Sequence, residues 1–431
     1  MRLPIFMLAL AMVPVIAGSK EGPALAPLSV QDEAFAISVE MTAEQKGLPA
    51  CYAYVEEAYK RDPRPHVKSC YGEFLLYGKA WGAPEGRNQQ GFALLEEAQK
   101  EGSANATRAL AWLYINGYFV PKNPQRGIEY LNNACDAGQV EAMAILGNVY
   151  RSGVVGVPIR LDEAEKWIRR AACEGKPKYL DDLAADYEKG RGLPQPNLAK
   201  ACQLYYESHI FGNRAGSTAS LQRLATAGVP GAARAHHLAV LWDSLYGEIY
   251  TTKQIKESVN FLSKDYPDDA EVLVALGRVY RAGNYYKDNK KAAELFQRAA
   301  NLGSDDARCE QAEMLAEGIG VKKNPAAALA ILRELEVKDN PGALRLLSYY
   351  HYWGALKGTE VVKDPAKTFA YARRAAEAGD LLGQVWLGRC YEHGIGTEVN
   401  YGLAARYFRA AGVRGAKKSY IEAMQLINHA K

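Results

Sequence analysis

Side chains that could support catalysis are scattered along the sequence rather than grouped. The histidines fall in different parts of the chain, and the one adjacent pair, His236 and His237, would point about 100° apart on a helix. The paired carboxylates Asp181-Asp182 and Asp268-Asp269 precede apolar helical stretches, where carboxylates cap exposed amides and favour the helix dipole. No GxSxG, HExxH, GxxxxGK[ST] or GxGxxG motif occurs. The sequence therefore predicts a non-enzyme that uses no cofactor.

The seven cysteines form neither a CxxC pair nor a Cys/His cluster at metal-ligand spacing. This pattern predicts no metal site. In an oxidising compartment an odd number of cysteines leaves at least one thiol unpaired. Cys51 and Cys70 flank the loop 61–65, which would fold two helices back on each other. These two cysteines either form a disulfide or serve as small buried helix residues.

A run of aromatic residues is a candidate site for binding a partner. It comprises Tyr349, Tyr350, His351, Tyr352 and Trp353. On a helix such a run covers both faces and cannot enter one core stripe. Exposed aromatic side chains anchor protein or sugar partners, and a locally thick core between repeats is the alternative. The loop 355–363 is about four residues longer than its counterparts, and insertions in repeat proteins tend to lie near binding surfaces.

Residues 401–431 carry a local surplus of positive charge. The cations of this patch are Arg406, Arg409, Arg414, Lys417, Lys418 and Lys431, with Glu422 as the one acidic residue. The patch would meet an acidic partner or an anionic polymer, and a solvated helix that caps a repeat array is the alternative. The formal net charge of the whole chain is only +4, so bulk electrostatics do not drive it onto nucleic acid or an anionic bilayer.

Two series of glycines recur with a period near 36 residues, and they define the elements that position these side chains. The outer series is Gly102, Gly138, Gly175, Gly212, Gly303, Gly342, Gly379 and Gly415, and the inner series is Gly117, Gly153, Gly190, Gly283, Gly318, Gly354 and Gly394. Each unit is predicted as helix A, a glycine turn, helix B and a second glycine turn. Apolar residues recur at helical spacing in both helices. Neither helix alone buries its stripe, so neighbouring units must stack.

These units resemble Sel1-like repeats, which are relatives of the tetratricopeptide repeat. The pattern Leu-Gly-x-x-Tyr-x-x-Gly appears at 146–153, 276–283 and 387–394, and the Ala-Ala-x-x-Gly ending appears at 299–303 and 375–379. The resemblance extends over 69–212 and 268–415. It implies an all-α, right-handed superhelical solenoid that acts through protein–protein contacts.

The domain organisation follows from where this rhythm fails and from the first residues. Arg2 and the apolar run 3–16 predict a cleaved signal peptide and hence a periplasmic protein, without a transmembrane segment in the mature chain. No lipid-attachment cysteine follows the run. The predicted order is a signal peptide 1–17, a leader 18–40, a first repeat block 41–212, a degenerate repeat or joint 213–267, a second block 268–415 and a capping helix 416–431.

Residues 225–415 resemble, in their layout, the alginate-export scaffold lipoproteins of pseudomonads. The shared features are the irregular segment 227–249, Tyr266-Pro267 and four repeats with a lengthened loop in the third. The resemblance implies a non-catalytic scaffold for polymer-modifying enzymes and an outer-membrane porin. The chain departs from that family because it lacks the lipid-attachment cysteine.

The sequence also resembles two further groups of Sel1-like proteins. Sel1-like periplasmic immunity proteins bind and neutralise a single lipase toxin delivered by type VI secretion. The cysteine-rich Sel1-like family, linked to penicillin binding or β-lactamase activity, pairs cysteines at a fixed short spacing in each repeat. The irregular spacing of the seven cysteines here fits that enzyme class least.

Overall fold

The computed structural model describes residues 46–154, 156–246, 250–282, 286–354, 356 and 358–413, together with Phe35, Val39, Thr42 and Ala43. The described part consists of α-helices joined by turns, with one isolated bridge between Val154 and Val157 and no strand. The predicted signal peptide and capping helix lie outside the described residues. None of the helices within the described ranges combines the length and apolar composition of a membrane span.

The chain divides into two compact units, the first of which ends at Tyr179. Seven α-helices lie within the first unit in the described residues, with a 3-10 turn at Gly78–Trp81 after the second. They are α1 Leu48–Arg61, α2 Pro65–Tyr77, α3 Asn88–Lys100, α4 Ala104–Asn116, α5 Pro124–Asp136, α6 Val140–Ser152 and α7 Leu161–Cys173.

Helix α8, Lys178–Lys189, begins just before the boundary, and the second unit continues from Leu180. The further helices of this unit are α9 Leu198–Ile210, α10 Arg214–Thr226, α11 Ala232–Tyr246, α12 Thr252–Asp265, α13 Ala270–Ala282, α14 Asn289–Asn301, α15 Asp305–Glu317, α16 Pro325–Val337, α17 Pro341–Trp353, α18 Pro365–Glu377, α19 Leu381–His393 and α20 Tyr401–Val413. The predicted all-α fold of repeated helix pairs is confirmed. The boundaries of the two blocks and of the joint stay predictions.

In seven helix pairs one backbone hydrogen bond closes the turn between the two helices. The N–H group of the residue that caps the second helix donates to the carbonyl of the residue three places before the inner glycine. The bonds run from Asn123 to Tyr114, Arg160 to Tyr150, Asn197 to Tyr187, Asp288 to Tyr280, Asn324 to Leu315, Asp364 to His351 and Asn400 to Tyr391, at 2.8–3.1 Å. Because this bond is repeated, these seven pairs have the same internal connection.

The capping residues explain why the second helices begin where they do. Apart from Arg160, the caps at these seven turns are Asn or Asp, and each side-chain oxygen accepts from the backbone N–H three residues later. That bond satisfies one of the amides that a helix start leaves open. Replacement of such a cap by alanine typically costs about 1 kcal/mol.

The glycine of the Leu-Gly-x-x-Tyr pattern lets the two helices of a pair approach closely. A Cβ atom on Gly277 would lie 2.5 Å from the ring of Phe296, and one on Gly388 would lie 2.6 Å from the ring of Phe408. Both rings are fully buried. Each glycine therefore provides the space that a large residue of the second helix fills, which is the physical reason for the pattern.

Candidate protein-binding face

Helix α17 carries the predicted aromatic run, and packing divides its five members between the core and the surface. Tyr350 and His351 are each only 1% exposed. Tyr349 and Tyr352 are half-buried, whereas Trp353 is 60% exposed. Because a partner contacts only accessible side chains, the structure narrows the predicted surface to Tyr349, Tyr352 and Trp353.

His351 supports this surface from inside. It stands three residues before Gly354, where most repeats carry a tyrosine. Its Nδ1 atom lies 3.0 Å from the carbonyl oxygen of Val362, and its ring stacks on Tyr371 with centroids 5.7 Å apart. Leu356 and Val361 of the lengthened loop are buried as well. His351 therefore holds the loop against the end of α17.

Trp386 of α19 joins the exposed residues of α17. Its ring centroid lies 5.8 Å from that of Tyr349 and 5.3 Å from that of Tyr352. The rings of Tyr352 and Trp353 meet edge to face at 4.8 Å. These separations are typical of favourable aromatic pairs. We call Tyr349, Tyr352, Trp353 and Trp386 the aromatic cluster.

Sequence reasoning missed Trp386 because it belongs to the next repeat. Helix α17 packs against α19, and this contact, rather than closeness in sequence, brings the tryptophan beside the tyrosines. A signal was present, since Trp386 stands eight residues before Gly394 and the corresponding residue before Gly354 is Leu346. A tryptophan at a position that holds leucine in the preceding repeat marks a departure from ordinary core packing.

Glu313 and Glu317 of α15 lie near Tyr349 of the cluster, and arginines of α13 pair with carboxylates of α15. Glu310 accepts from Arg278 at 2.6 Å and pairs with Arg281 at 2.8 Å. Burial would raise the pKa of Glu310, but the two arginines outweigh it and hold the pKa below its ordinary value. Glu313 pairs with Arg281 at 2.9 Å. These carboxylates are therefore neutralised within the protein.

Glu317 is the carboxylate on this side that stays available. It is exposed at the end of α15 and forms no ion pair among the described residues. Burial raises the pKa of Tyr349, and the nearby negative charges of Glu317 and Glu313 raise it further. Glu317 therefore lies near enough to act on any charge that a partner brings to the cluster.

The predicted basic patch is described only at its first members. Arg406 is half-buried, and its guanidinium lies 5.3 Å from the ring centroid of Tyr407. The side chain of Arg409 and all of Arg414, Lys417 and Lys418 lie outside the described residues. The patch stays a prediction.

Cys51 and Cys70 are both buried and are free thiols in the structure. The Sγ atom of Cys51 lies 3.5 Å from the carbonyl oxygen of Val39, and that of Cys70 lies 3.9 Å from Nε2 of His66. Burial raises the pKa of Cys51 to about 12, so this thiol is protonated at neutral pH. A disulfide between the two cysteines stays a prediction, which a thiol count of the purified protein tests.

One group of side chains in the second unit brings a hydroxyl, an imidazole and a carboxylate into contact, as a catalytic triad does. His209 Nδ1 lies 2.9 Å from Thr218 Oγ1, and His209 Nε2 lies 3.2 Å from Asp243 Oδ1. Arg214 also pairs with Asp243 at 3.1 Å. The side chains of His209 and Asp243 are fully buried, so no substrate reaches the imidazole. The arrangement is a polar contact that joins α9, α10 and α11. Within the described ranges no His, Cys, Asp and Glu side chains group as metal ligands.

An array of repeated helix pairs defines a helical repeat protein. A model of the Sel1 repeat family matches residues 104–139, 140–176, 181–208, 270–304, 307–334, 341–380 and 381–412. These matches cover more than half of the chain. The chain therefore belongs to the Sel1 repeat family, whose repeats mediate protein–protein interactions and typically serve as non-catalytic scaffolds.

Several curated proteins are similar to this chain. It is 27% identical over 369 residues to chitin synthase regulator SKT5 of Saccharomyces cerevisiae, which covers 82% of this chain and 47% of that protein. It is 26% identical over 177 residues to chitin synthase regulatory factor 1 of Schizosaccharomyces pombe, with 40% of this chain and 38% of that protein covered. The match to protein sel-1 homolog 2 of Homo sapiens is 26% identical and covers 36% and 23%. The chain spans less than half the length of these relatives.

Two solved structures are also similar to this chain, at low sequence identity. A protective antigen of uropathogenic Escherichia coli with an SLR fold is 18% identical, with 93% of this chain and 83% of that chain covered and a TM-score of 0.32. A Sel1 repeat protein from Oxalobacter formigenes is 19% identical, with 95% and 97% covered and a TM-score of 0.28.

Proposed function

We propose that this protein is a non-catalytic periplasmic scaffold that holds together proteins of an exopolysaccharide assembly and export system of the alginate type. The observation that carries the scaffold role is the aromatic cluster, in which Trp353 is 60% exposed beside two half-buried tyrosines. Its partners would be an outer-membrane porin and polymer-modifying enzymes.

The cluster has the properties of an interface anchor. A partner that covers Trp353 and Tyr352 removes large apolar surfaces from water, and such aromatic residues supply much of the affinity of protein interfaces. Trp386 already restrains Tyr349 and Tyr352 through ring contacts. Little side-chain freedom is therefore lost on binding, which favours affinity.

Two observations support the assignment to polysaccharide assembly. Residues 225–415 resemble the alginate-export scaffold proteins in their irregular segment as well as in their repeats. Two fungal relatives are named regulators of chitin synthase, which is likewise a polymer-forming enzyme. The predicted signal peptide supports a periplasmic location.

The proposal is tested by affinity capture of the tagged full-length protein from its own cells, with chemical cross-linking and mass spectrometry. We expect the wild type to recover an outer-membrane porin and polymer-modifying enzymes, and Trp353→Ala to lose them. Val337→Ser is the matched control because Val337 is 86% exposed at the end of α16 and lies outside the cluster.

Two outcomes contradict the proposal in different ways. Equal recovery by wild type and Trp353→Ala would remove the aromatic cluster as the binding site. Recovery of a single stoichiometric lipase, whose activity falls on binding, would make the protein an immunity protein and would contradict the export role.

A further inference from the structure

The loop between α4 and α5 departs from the repeat pattern at one position. In three other loops the residue two places after the inner glycine is also a glycine, namely Gly192, Gly320 or Gly396, with φ angles of 73°, 69° and 67°. In the loop that follows Gly117, Phe119 occupies this position with a φ angle of 63°. All four residues thus adopt left-handed backbone, but only this one carries a side chain.

In two of the other loops a close backbone contact leaves no room for a side chain at this position. A Cβ atom on Gly320 would collide with the carbonyl oxygen of Asn289, and one on Gly396 would collide with that of Pro365. Asn289 and Pro365 are the first residues of the second helix in the preceding repeat. Because Phe119 has a Cβ atom, its loop cannot lie as closely on the start of α3.

The side chains of this loop point to a role outside folding. Phe119 is 54% exposed and Tyr118 is 52% exposed, so neither ring is covered as a core residue is. A bulky residue in left-handed backbone is strained, and such strain tends to persist at functional sites. We call Tyr118 and Phe119 the aromatic loop.

Exposed cations lie in the loop 117–123 and in the loop 78–87, which follows Tyr77. Tyr118 lies near Tyr77, whose ring stacks on Trp81 with centroids 4.3 Å apart. The loops 78–87 and 117–123 carry three exposed cations, Lys79, Arg87 and Lys122. Their one carboxylate, Glu85, lies 4.0 Å from Lys79. The two loops together therefore expose two aromatic rings and more positive than negative charge.

We propose that the aromatic loop binds an acidic segment of a partner protein. An apolar side chain of that segment packs against Phe119 and Tyr118, and its carboxylates face Lys79, Arg87 and Lys122. The choice of an acidic partner rests on this charge complementarity. The choice of a protein rests on the proposed scaffold function, although the site is distinct from the aromatic cluster of the second unit.

The test measures fluorescence anisotropy of a fluorescein-labelled peptide of about twelve residues that repeats Glu-Leu-Glu-Ser, titrated with the full-length protein. We expect the wild type to bind this peptide at least about tenfold more tightly than peptides with Lys for Glu or Ser for Leu. Absence of binding by the wild type, or equal binding of the Lys peptide, would overturn the proposal.

Phe119→Gly is the decisive variant because glycine is the residue of the other three loops. We expect it to weaken peptide binding at least about tenfold while the melting temperature stays unchanged or rises. Unchanged binding would overturn the proposal, and so would a fall in melting temperature that accounts for the loss. Lys122→Glu should also weaken binding, with the larger difference from wild type at low salt.

Trp353→Ala separates this inference from the proposed function. It should leave binding of the acidic peptide unchanged while it abolishes capture of the envelope partners. If Phe119→Gly has no effect and Trp353→Ala still abolishes capture, only the assignment of the aromatic loop fails. If Trp353→Ala has no effect on capture and Phe119→Gly abolishes peptide binding, the aromatic cluster fails and the loop stands.

Discussion

The aromatic cluster of the second unit and the aromatic loop of the first both expose large rings, but different elements carry them. Trp353 ends a helix whose turn is held by buried side chains such as His351 and Leu356. Phe119 stands in a turn with left-handed backbone and an exposed ring. The position of the exposed ring in the cluster therefore depends on buried side chains, whereas the position of the ring of Phe119 depends on the conformation of its own backbone.

The charges around the two sites also differ. Exposed Glu317 lies near Tyr349 of the cluster. The exposed cations Lys79, Arg87 and Lys122 lie in the loops 78–87 and 117–123, the second of which contains the aromatic loop. Opposite local charge favours different partners, because like charges across an interface are unfavourable and opposite charges steer association. Such a difference suits a scaffold that binds more than one protein.

The largest expected effect concerns Gly320, which stands in its own loop at the position equivalent to Phe119. Gly320→Ala should lower the free energy of unfolding by about 3 kcal/mol, because its Cβ collides with the Asn289 carbonyl and the backbone is strained as well. Gly303→Ala is the control, since Gly303 also has a positive φ angle, 88°, but no neighbouring atom lies within 4 Å of where its Cβ atom would be. Backbone strain alone should cost about 1 kcal/mol there. Urea denaturation measures the free energy of unfolding of both variants. Equal losses of stability would show that the predicted collision at Gly320 adds nothing to the backbone strain.

The second effect concerns affinity at the cluster. Trp353→Ala should weaken binding of the captured partner by about 2 kcal/mol, or about thirtyfold, while stability changes by less than about 1 kcal/mol. Trp386→Ala should weaken binding less, because this half-buried ring acts by positioning Tyr349 and Tyr352. Calorimetric titration of the two single variants and the double variant measures their coupling, and strict additivity would argue against a common cluster.

A smaller effect distinguishes the backbone of the loop. Phe119→Gly should leave the free energy of unfolding unchanged or raise it by about 0.5 kcal/mol, since relief of the left-handed strain outweighs the added freedom of the unfolded chain. Tyr118 has no positive φ angle, so Tyr118→Gly should instead lose about 0.5 to 1 kcal/mol. Thermal unfolding followed by circular dichroism compares the two, and equal losses would mean that Phe119 is not strained.

The smallest effect concerns the charge beside the cluster. Glu317→Gln should weaken binding of the cluster's partner by about twofold at low salt, because exposed charges contribute little and are screened. The acidic peptide should bind this variant as it binds the wild type. Titrations at low and high salt measure the difference, and an effect that persists at high salt would mean that Glu317 is buried in the interface.

The repeat pattern was enough to predict the helix pairs, because the glycine of the Leu-Gly-x-x-Tyr pattern reflects a contact between the two helices, such as that of Gly277 with Phe296. The aromatic run was also visible, and the register that places His351 at the tyrosine position could have identified it as buried. Trp386 was harder to foresee, since its contacts depend on how α17 and α19 pack. Phe119 can be recognised only by comparing its loop with the equivalent loops of the other repeats.

The hydrogen bond between the cap of the second helix and the carbonyl of the first uses backbone atoms alone. A duplicated gene segment that encodes one pair would therefore keep this connection whatever residues later change on its surface. Substitutions of surface residues, including those of the cluster and the loop, can then accumulate without altering how the pair closes. In evolutionary terms, the backbone bond separates the inheritance of the repeat's geometry from the divergence of its binding specificity.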